Sequence, residues 1–230
     1  MNLLAIDTST EFLSIALEAK GQLHVHEVLA GQLHAELTLP TVQTLCANAG
    51  IPLAAIDGIA FSVGPGSFTG LRIGCGIVQG LAFGLGKPVV GVNSLASMAA
   101  SVEGERILAV NDARMGELYL AGFVREGDVL KEVLHTCVVK PDALPDLPPG
   151  NWVGAGSGFK VQGEALANRY GATLIQTLPD VFPNARGLLA LARPVFAAGQ
   201  AYAPEKLELL YIRNKVALTA TEQAALRKAG

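Results

Sequence analysis

Leu4-Ala5-Ile6-Asp7 returns as Leu108-Ala109-Val110-Asn111, and in both places the apolar run stops at a short polar turn. A second apolar segment follows each (Phe12–Leu17 and Leu118–Val124), and then a glycine turn at Gly21 or Gly127. Short apolar runs bounded by polar turns read as buried strands, so each copy opens a βββ meander. The matching stretch is only a few residues long, and chance recurrence stands as the alternative. Taken as a repeat, it makes the chain a duplicated α/β lobe. With 230 residues, 50% of them hydrophobic, the chain is long enough for a substantial core.

The rest of the first half fits the same layout. Leu23–Ala30 alternates as a third strand, and His34–Ala49 shifts to helical spacing, with Gly50 as a C-terminal cap. Ile56–Val63 and Val89–Val92 read as strands on either side of a helix over Phe68–Gly86, which completes a βββαβαβ order. Pro141–Gly150 reads as a rigid surface connection. Trp152–Gly154 follows as a strand, with helices over Val161–Tyr170 and Gly187–Gly199. The tail from Thr219 to Lys228 has good helix formers, with Thr219 or Thr221 as N-cap.

The net charge of −3 gives no electrostatic reason for direct nucleic-acid binding. Service to an RNA would therefore run through a partner. Cys46, Cys75 and Cys137 are widely spaced and set among apolar residues, which favours buried, reduced thiols over a disulfide framework. Asp7 and Glu11 break any signal-peptide layout. The longest uncharged apolar run, Ile73–Gly86, is shorter than the ~20 residues a membrane span needs. A soluble, cytoplasmic protein with no membrane partner is the expectation.

Several stretches carry candidate chemistry. Asp7-Thr8-Ser9-Thr10 can present hydroxyls and amides to a phosphate while the carboxylate holds a hydrated metal ion. The same residues also make an ordinary polar turn bonded to its own backbone. His24 and His26 share one side of a strand but have no third ligand nearby. Gly154–Gly158, "GAGSG", has Ala155 where a nucleophile elbow needs glycine, and no P-loop stretch exists.

The glycines are the strongest signal. Gly66, Gly70 and Gly74 are spaced by four, as are Gly76, Gly80 and Gly84, inside an otherwise apolar helix. Each costs the helix about 1 kcal/mol relative to alanine, so the set needs a packing reason. Positions without side chains four apart let another backbone approach closely, which suggests a helix made thin for a contact. Ser67 is its expected N-cap, after a turn at Gly64-Pro65-Gly66.

"LAIDTST" at the N-terminus, "HAELTLP" (His34–Pro40), "FSVGPGSFTGLRIG" (Phe61–Gly74) and "GVNSLASMA" (Gly91–Ala99) together closely resemble the TsaB (YeaZ) family of the actin/sugar-kinase/Hsp70-like (ASKHA) superfamily. The resemblance runs along essentially the whole chain, weakening after about Asn151. It implies an α/β fold of two actin-like (ribonuclease H-like) lobes, each a mixed sheet flanked by helices. The expected division is residues 1–98, carrying the dimerisation helices, and residues 99–230, with the terminal helix free to pack back on the first lobe.

The family's role is in bacterial tRNA threonylcarbamoyladenosine modification, as the non-catalytic heterodimer partner of the paralogue TsaD. TsaC supplies threonylcarbamoyl-adenylate from threonine, bicarbonate and ATP. TsaE joins the complex of the two paralogues, and TsaD transfers the group to the adenosine beside the anticodon. A homodimer forms when TsaD is absent, and tRNA is reached only through the complex. No catalytic residue, metal or cofactor is expected of this chain, with ATP or ADP only at the shared interface. Ser94 and Met98 stand where the paralogue has an H-x-x-x-H metal pair, and neither replaces an imidazole. In the second phosphate loop Asp112 would repel a phosphate, partly offset by Arg114.

The partner surface implied by the family lies on two helices. On the first it includes His34, Glu36, Leu37 and Thr41. On the second it includes Ser67, Phe68, Gly70, Leu71, Arg72, Gly74 and Val78, with close packing at Gly70, Gly74 and Arg72. The competing readings are an ASKHA phosphotransferase, with Asp7–Thr10 at its nucleotide, and a peptidase acting on its partner.

Overall fold

The computed structural model of the protein describes residues 1–212. The first lobe runs β1 (Leu3–Asp7), β2 (Phe12–Ala19), β3 (Gln22–Leu29), α1 (His34–Asn48), β4 (Gly58–Gly64), α2 (Phe68–Leu85) and β5 (Val89–Asn93). After α3 (Ser94–Ala100), the second runs β6 (Arg106–Asp112), β7 (Leu118–Glu126), β8 (Val129–Val139), β9 (Trp152–Ala155), α4 (Gly158–Val161), α5 (Gly163–Tyr170) and β10 (Leu174–Leu178). The chain then returns through α6 (Ala185–Ala197).

The two sheets have one topology. Their orders are β3-β2-β1-β4-β5 and β8-β7-β6-β9-β10. In each, the first strand pairs antiparallel with the second and parallel with the fourth. The Leu4–Asp7 and Leu108–Asn111 segments are thus equivalent central strands of two actin-like lobes. Residues 98 and 99, between which the sequence reading divides the chain, both lie inside α3.

A central strand covered on both faces needs apolar residues at every position. On β1, Leu4 and Ile6 face α1 and α2 and pack with Val42, Leu45, Leu71 and Val78. Leu3 and Ala5 face the other way, against Leu188, Leu189 and Ala192 of α6. On β6, Leu108 and Val110 join Trp152, Leu166 and Tyr170, while Ile107 and Ala109 join Leu95, Met98 and Ala99 of α3. So α3 covers the second sheet and α6 comes back to cover the first.

These two helices meet at the centre of the molecule. A Cβ built on Gly187 of α6 would lie 1.8 Å from the Ser97 carbonyl oxygen of α3. The Asn184 side chain caps α6 by accepting from the Gly187 N–H, and its amide donates to Ser101 Oγ at 2.9 Å. The stacked Phe12 and Phe182 rings, centroids 4.1 Å apart, add an apolar tie between the first lobe and the segment entering α6.

Helix α2 extends the apolar run that the sequence reading measured. At 18 residues it is long and apolar enough to cross a membrane by length and composition alone. It buries Leu71, Gly74, Val78 and Ala82 against its own lobe, the behaviour of a core helix with one open face. The helix expected over Val161–Tyr170 divides at Gln162 into α4 and α5, and β10 follows where no strand was expected. The helix expected over Thr219–Lys228 lies outside the described residues.

Candidate functional site

The Asp7–Thr10 turn is sealed by the start of α2. The Ser9 N–H and hydroxyl both donate to Asp7 Oδ1, at 2.8 and 2.7 Å. The Thr8 hydroxyl donates to the Gly70 carbonyl at 2.8 Å, and the Ser67 N–H donates to the Ser9 carbonyl at 2.7 Å. Asp7 and Thr8 have no exposed surface and Ser9 has 1%, whereas Thr10 is half-buried. The polar groups anticipated for a phosphate are therefore spent largely within the lobe. Asp7 Oδ2 has no hydrogen-bond partner among the described residues. Burial pushes the Asp7 carboxyl above its ordinary value, with the Ser9 bonds, the Ser62 hydroxyl and His34 pulling the other way.

The sealing explains half of the glycines and corrects the expected interface. A Cβ on Gly66 would lie 2.3 Å from the Ser9 carbonyl oxygen, and one on Gly70 2.2 Å from that of Thr8. On Gly74 it would meet Thr8 Oγ1 at 2.2 Å and the Phe61 ring at 2.6 Å. This row is thin for the chain's own first turn, so Gly70 and Gly74 are not partner contacts. Leu71 and Val78 lie beside them in the core, and His34 is buried at 3% exposure with Nε2 3.3 Å from the Phe12 carbonyl. All five leave the expected partner surface for the same reason: the lobe already covers them.

The second row faces outward. Gly76, Gly80 and Gly84 have nothing within 4 Å of a built Cβ. With Arg72 and Phe83 they form an exposed stripe, on which the Phe83 side chain is 76% exposed. Ser67 and Phe68 are exposed at its start, and Ser67 caps α2 as expected by accepting from the Gly70 N–H at 3.2 Å. On α1, Glu36 is exposed, Leu37 and Thr41 are half-buried, and Leu39 is open at 44%, as is Leu33 just before the helix at 47%. Spacing by four revealed both glycine rows; which one faced inward depended on the contact with Thr8 and Ser9, far away in sequence.

A cleft of about 560 Å³ opens between the lobes, lined by Ser9, Thr10, Asn111, Asp112 and Ser157 together with Phe68 and Tyr211. Its charged groups are largely paired. The Arg114 guanidinium and N–H both donate to Asp112, and Lys160 pairs with Asp180 at 2.5 Å. Arg114 thus closes onto Asp112 rather than standing free for a phosphate. Ser94 and Met98 lie away from this opening. Ser94 shares a 2.7 Å hydrogen bond with Ser62, and Met98 is packed in the second-lobe core. His24 and His26 lie on the edge strand β3, and among the described residues no three His, Cys, Asp or Glu side chains gather as a metal-holding group.

Sequence reasoning missed the segment after α6. Tyr202 bridges to Val89 at the edge of β5, and its hydroxyl accepts from the Gly91 N–H at 2.8 Å. Leu207 is buried in the first-lobe core, and the Leu210 N–H donates to the Val63 carbonyl. Residues 201–212 have neither helical nor strand periodicity, so no local pattern marked them as a strap.

The family model for TsaD, tRNA N6-adenosine threonylcarbamoyltransferase, matches residues 23–219. The chain is 37% identical to the tRNA threonylcarbamoyladenosine biosynthesis protein TsaB of Escherichia coli K12, over 94% of this chain and 96% of that protein. It is 35% identical to the protein of the same name from Haemophilus influenzae, over 94% and 95%. A crystal structure described as an uncharacterized protein with similarity to peptidase YEAZ from Pseudomonas aeruginosa is also similar. It has a TM-score of 0.83 and 35% identity, covering 92% of this chain and 99% of that one.

Proposed function

Because the chain belongs to the TsaB family of tRNA threonylcarbamoyladenosine biosynthesis proteins, we propose that it is the non-catalytic partner of a TsaD transferase. It docks through the open faces of α1 and α2 and activates threonylcarbamoyl transfer to tRNA in the cytoplasm. The observation that carries this reading is the outward row of Gly76, Gly80 and Gly84 beside the exposed Phe83. A helix tolerates such a row only at a cost of about 1 kcal/mol per glycine, and on the inner face the lobe's own packing supplies the reason. On the outer face, a partner helix approaching closely supplies it.

The reading also accounts for the sealed turn. The phosphate-loop residues are engaged with α2, and the two positions that ligate metal in the transferase paralogue are core residues here. Chemistry is therefore left to TsaD. TsaC supplies the activated threonylcarbamoyl group, TsaE joins the complex, and tRNA meets this chain only within it. No cofactor belongs to this chain alone, and ATP or ADP enters only at the shared interface.

Light scattering on the chain mixed with TsaD tests the docking. The wild-type chain should form a complex, and Gly80→Trp should abolish it while leaving the circular-dichroism spectrum unchanged. A complex of normal affinity with Gly80→Trp would refute the assigned face. The TsaD-free sample reports whether two copies pair through the same surface.

A further inference from the structure

The strap from Ala201 to Tyr211 ends at the docking face, and its last contacts fall on one side chain. Gln79 Nε2 of α2 donates to the Pro204 and Leu207 carbonyls, at 3.2 and 3.3 Å. With the Tyr202 and Leu210 backbone bonds, this fixes the strap along the lobe and brings Tyr211 to the first turns of α2. There Arg72 Nε donates to the Tyr211 hydroxyl at 3.3 Å. The Arg72 guanidinium lies 3.7 Å from the Phe68 ring centroid and 5.8 Å from that of Tyr211.

Arg72 is exposed, and no ion pair joins it to an acidic side chain among the described residues. Its Nε is engaged by Tyr211, and its two terminal nitrogens, on an exposed residue, have no hydrogen bond or ion pair among the described residues and so are available as a fork. A planar fork held in one place matches a carboxylate through two parallel hydrogen bonds. Arg72 also precedes Gly76 and Gly80 at steps of four, so it shares their stripe on α2.

We infer that Arg72 is a preorganised anchor for a carboxylate of the docking TsaD, and that Tyr211 of the strap is the positioning residue that holds it. This rests on the docking reading above. Binding a flexible arginine means immobilising several rotatable bonds, and here the strap and Phe68 have already ordered them. A protein carboxylate is favoured over an RNA phosphate because the fork borders an apolar, glycine-flattened face on a chain of net charge −3.

The test measures the affinity of the full chain for TsaD by calorimetry, first without and then with tRNA, for wild type, Tyr211→Ala, Tyr211→Phe, Arg72→Ala and the Arg72→Ala/Tyr211→Ala double variant. Exposed cation–π and hydrogen-bonded contacts of this kind make the expected loss for Tyr211→Ala about threefold to tenfold. Tyr211→Phe, which keeps the ring, should lose less. The double variant should bind as Arg72→Ala does, because Tyr211 acts through Arg72. Thermal unfolding of Tyr211→Ala should stay within about 2 °C of wild type, as for a surface change.

Wild-type binding with unchanged affinity for Tyr211→Ala would overturn the inference alone, as would additive losses in the double variant. A loss that appears only when tRNA is added would assign the fork to phosphate and also overturn it. Failure of the wild-type chain to bind TsaD would overturn the docking reading itself.

Discussion

The two glycine rows of α2 should respond oppositely to the same substitution. At Gly80 a new methyl group meets nothing within 4 Å, so alanine removes only the conformational cost of glycine. The gain is about 0.4–1 kcal/mol. At Gly70 the methyl carbon would sit 2.2 Å from the Thr8 carbonyl oxygen, a contact that side-chain rotation cannot relieve because the obstacle is backbone. Helix or turn must move by about an ångström, at about 1–3 kcal/mol for overpacking. That movement also strains the Thr8-to-Gly70 and Ser67-to-Ser9 hydrogen bonds, each worth about 1 kcal/mol. The helix-propensity gain offsets about 1 kcal/mol of this. With both bonds lost, the two variants should therefore differ by about 2.5–5 kcal/mol in urea unfolding followed by circular dichroism. Binding should invert the order, with Gly80→Ala the more stable protein and yet the weaker partner for TsaD. Equal stability of the two variants, or Gly70→Ala the more stable, would refute the assignment of inner and outer rows.

Three further outcomes follow from the packing and the sealed turn. Gly187→Ala drives a methyl group into the Ser97 carbonyl where α3 crosses α6, and should cost about 1–3 kcal/mol in denaturant unfolding. Burial holds the Asp7 carboxyl above its ordinary 3.8, so the native state keeps that proton to higher pH than the unfolded chain does. The associated stability is full below pH 3.8 and is lost as pH rises through the folded value; Asp7→Asn should flatten that decline in unfolding series across pH. Calorimetry of the isolated chain with ATP and magnesium should show weak or no binding, and tight binding would favour the phosphotransferase reading.

The duplication was legible because a central strand must be apolar at every position, and both copies show this in sequence. The βββαβαβ element order of the first lobe followed from similarly local patterns, as did the Ser67 cap. The candidate site was legible only in part. A spacing of four marks a stripe on a helix, but Gly70 and Gly74 face Thr8, and that contact spans some sixty residues of sequence. His34 was misplaced for a similar reason: its helix start is turned toward the Phe12 carbonyl. The strap and the return of α6 depend on tertiary contacts alone. Tyr211 therefore gave no sign, before folding, of its place beside Arg72.

A chain that acts by docking on a transferase must change the rate of transfer itself. The measurement is the rate at which purified TsaD forms modified adenosine in tRNA from threonylcarbamoyl-adenylate, with and without this chain. The rate should rise on adding the chain and saturate, and Gly80→Trp should remove the increase. A rate indifferent to the chain, or transfer by the chain with no TsaD present, would contradict the docking role.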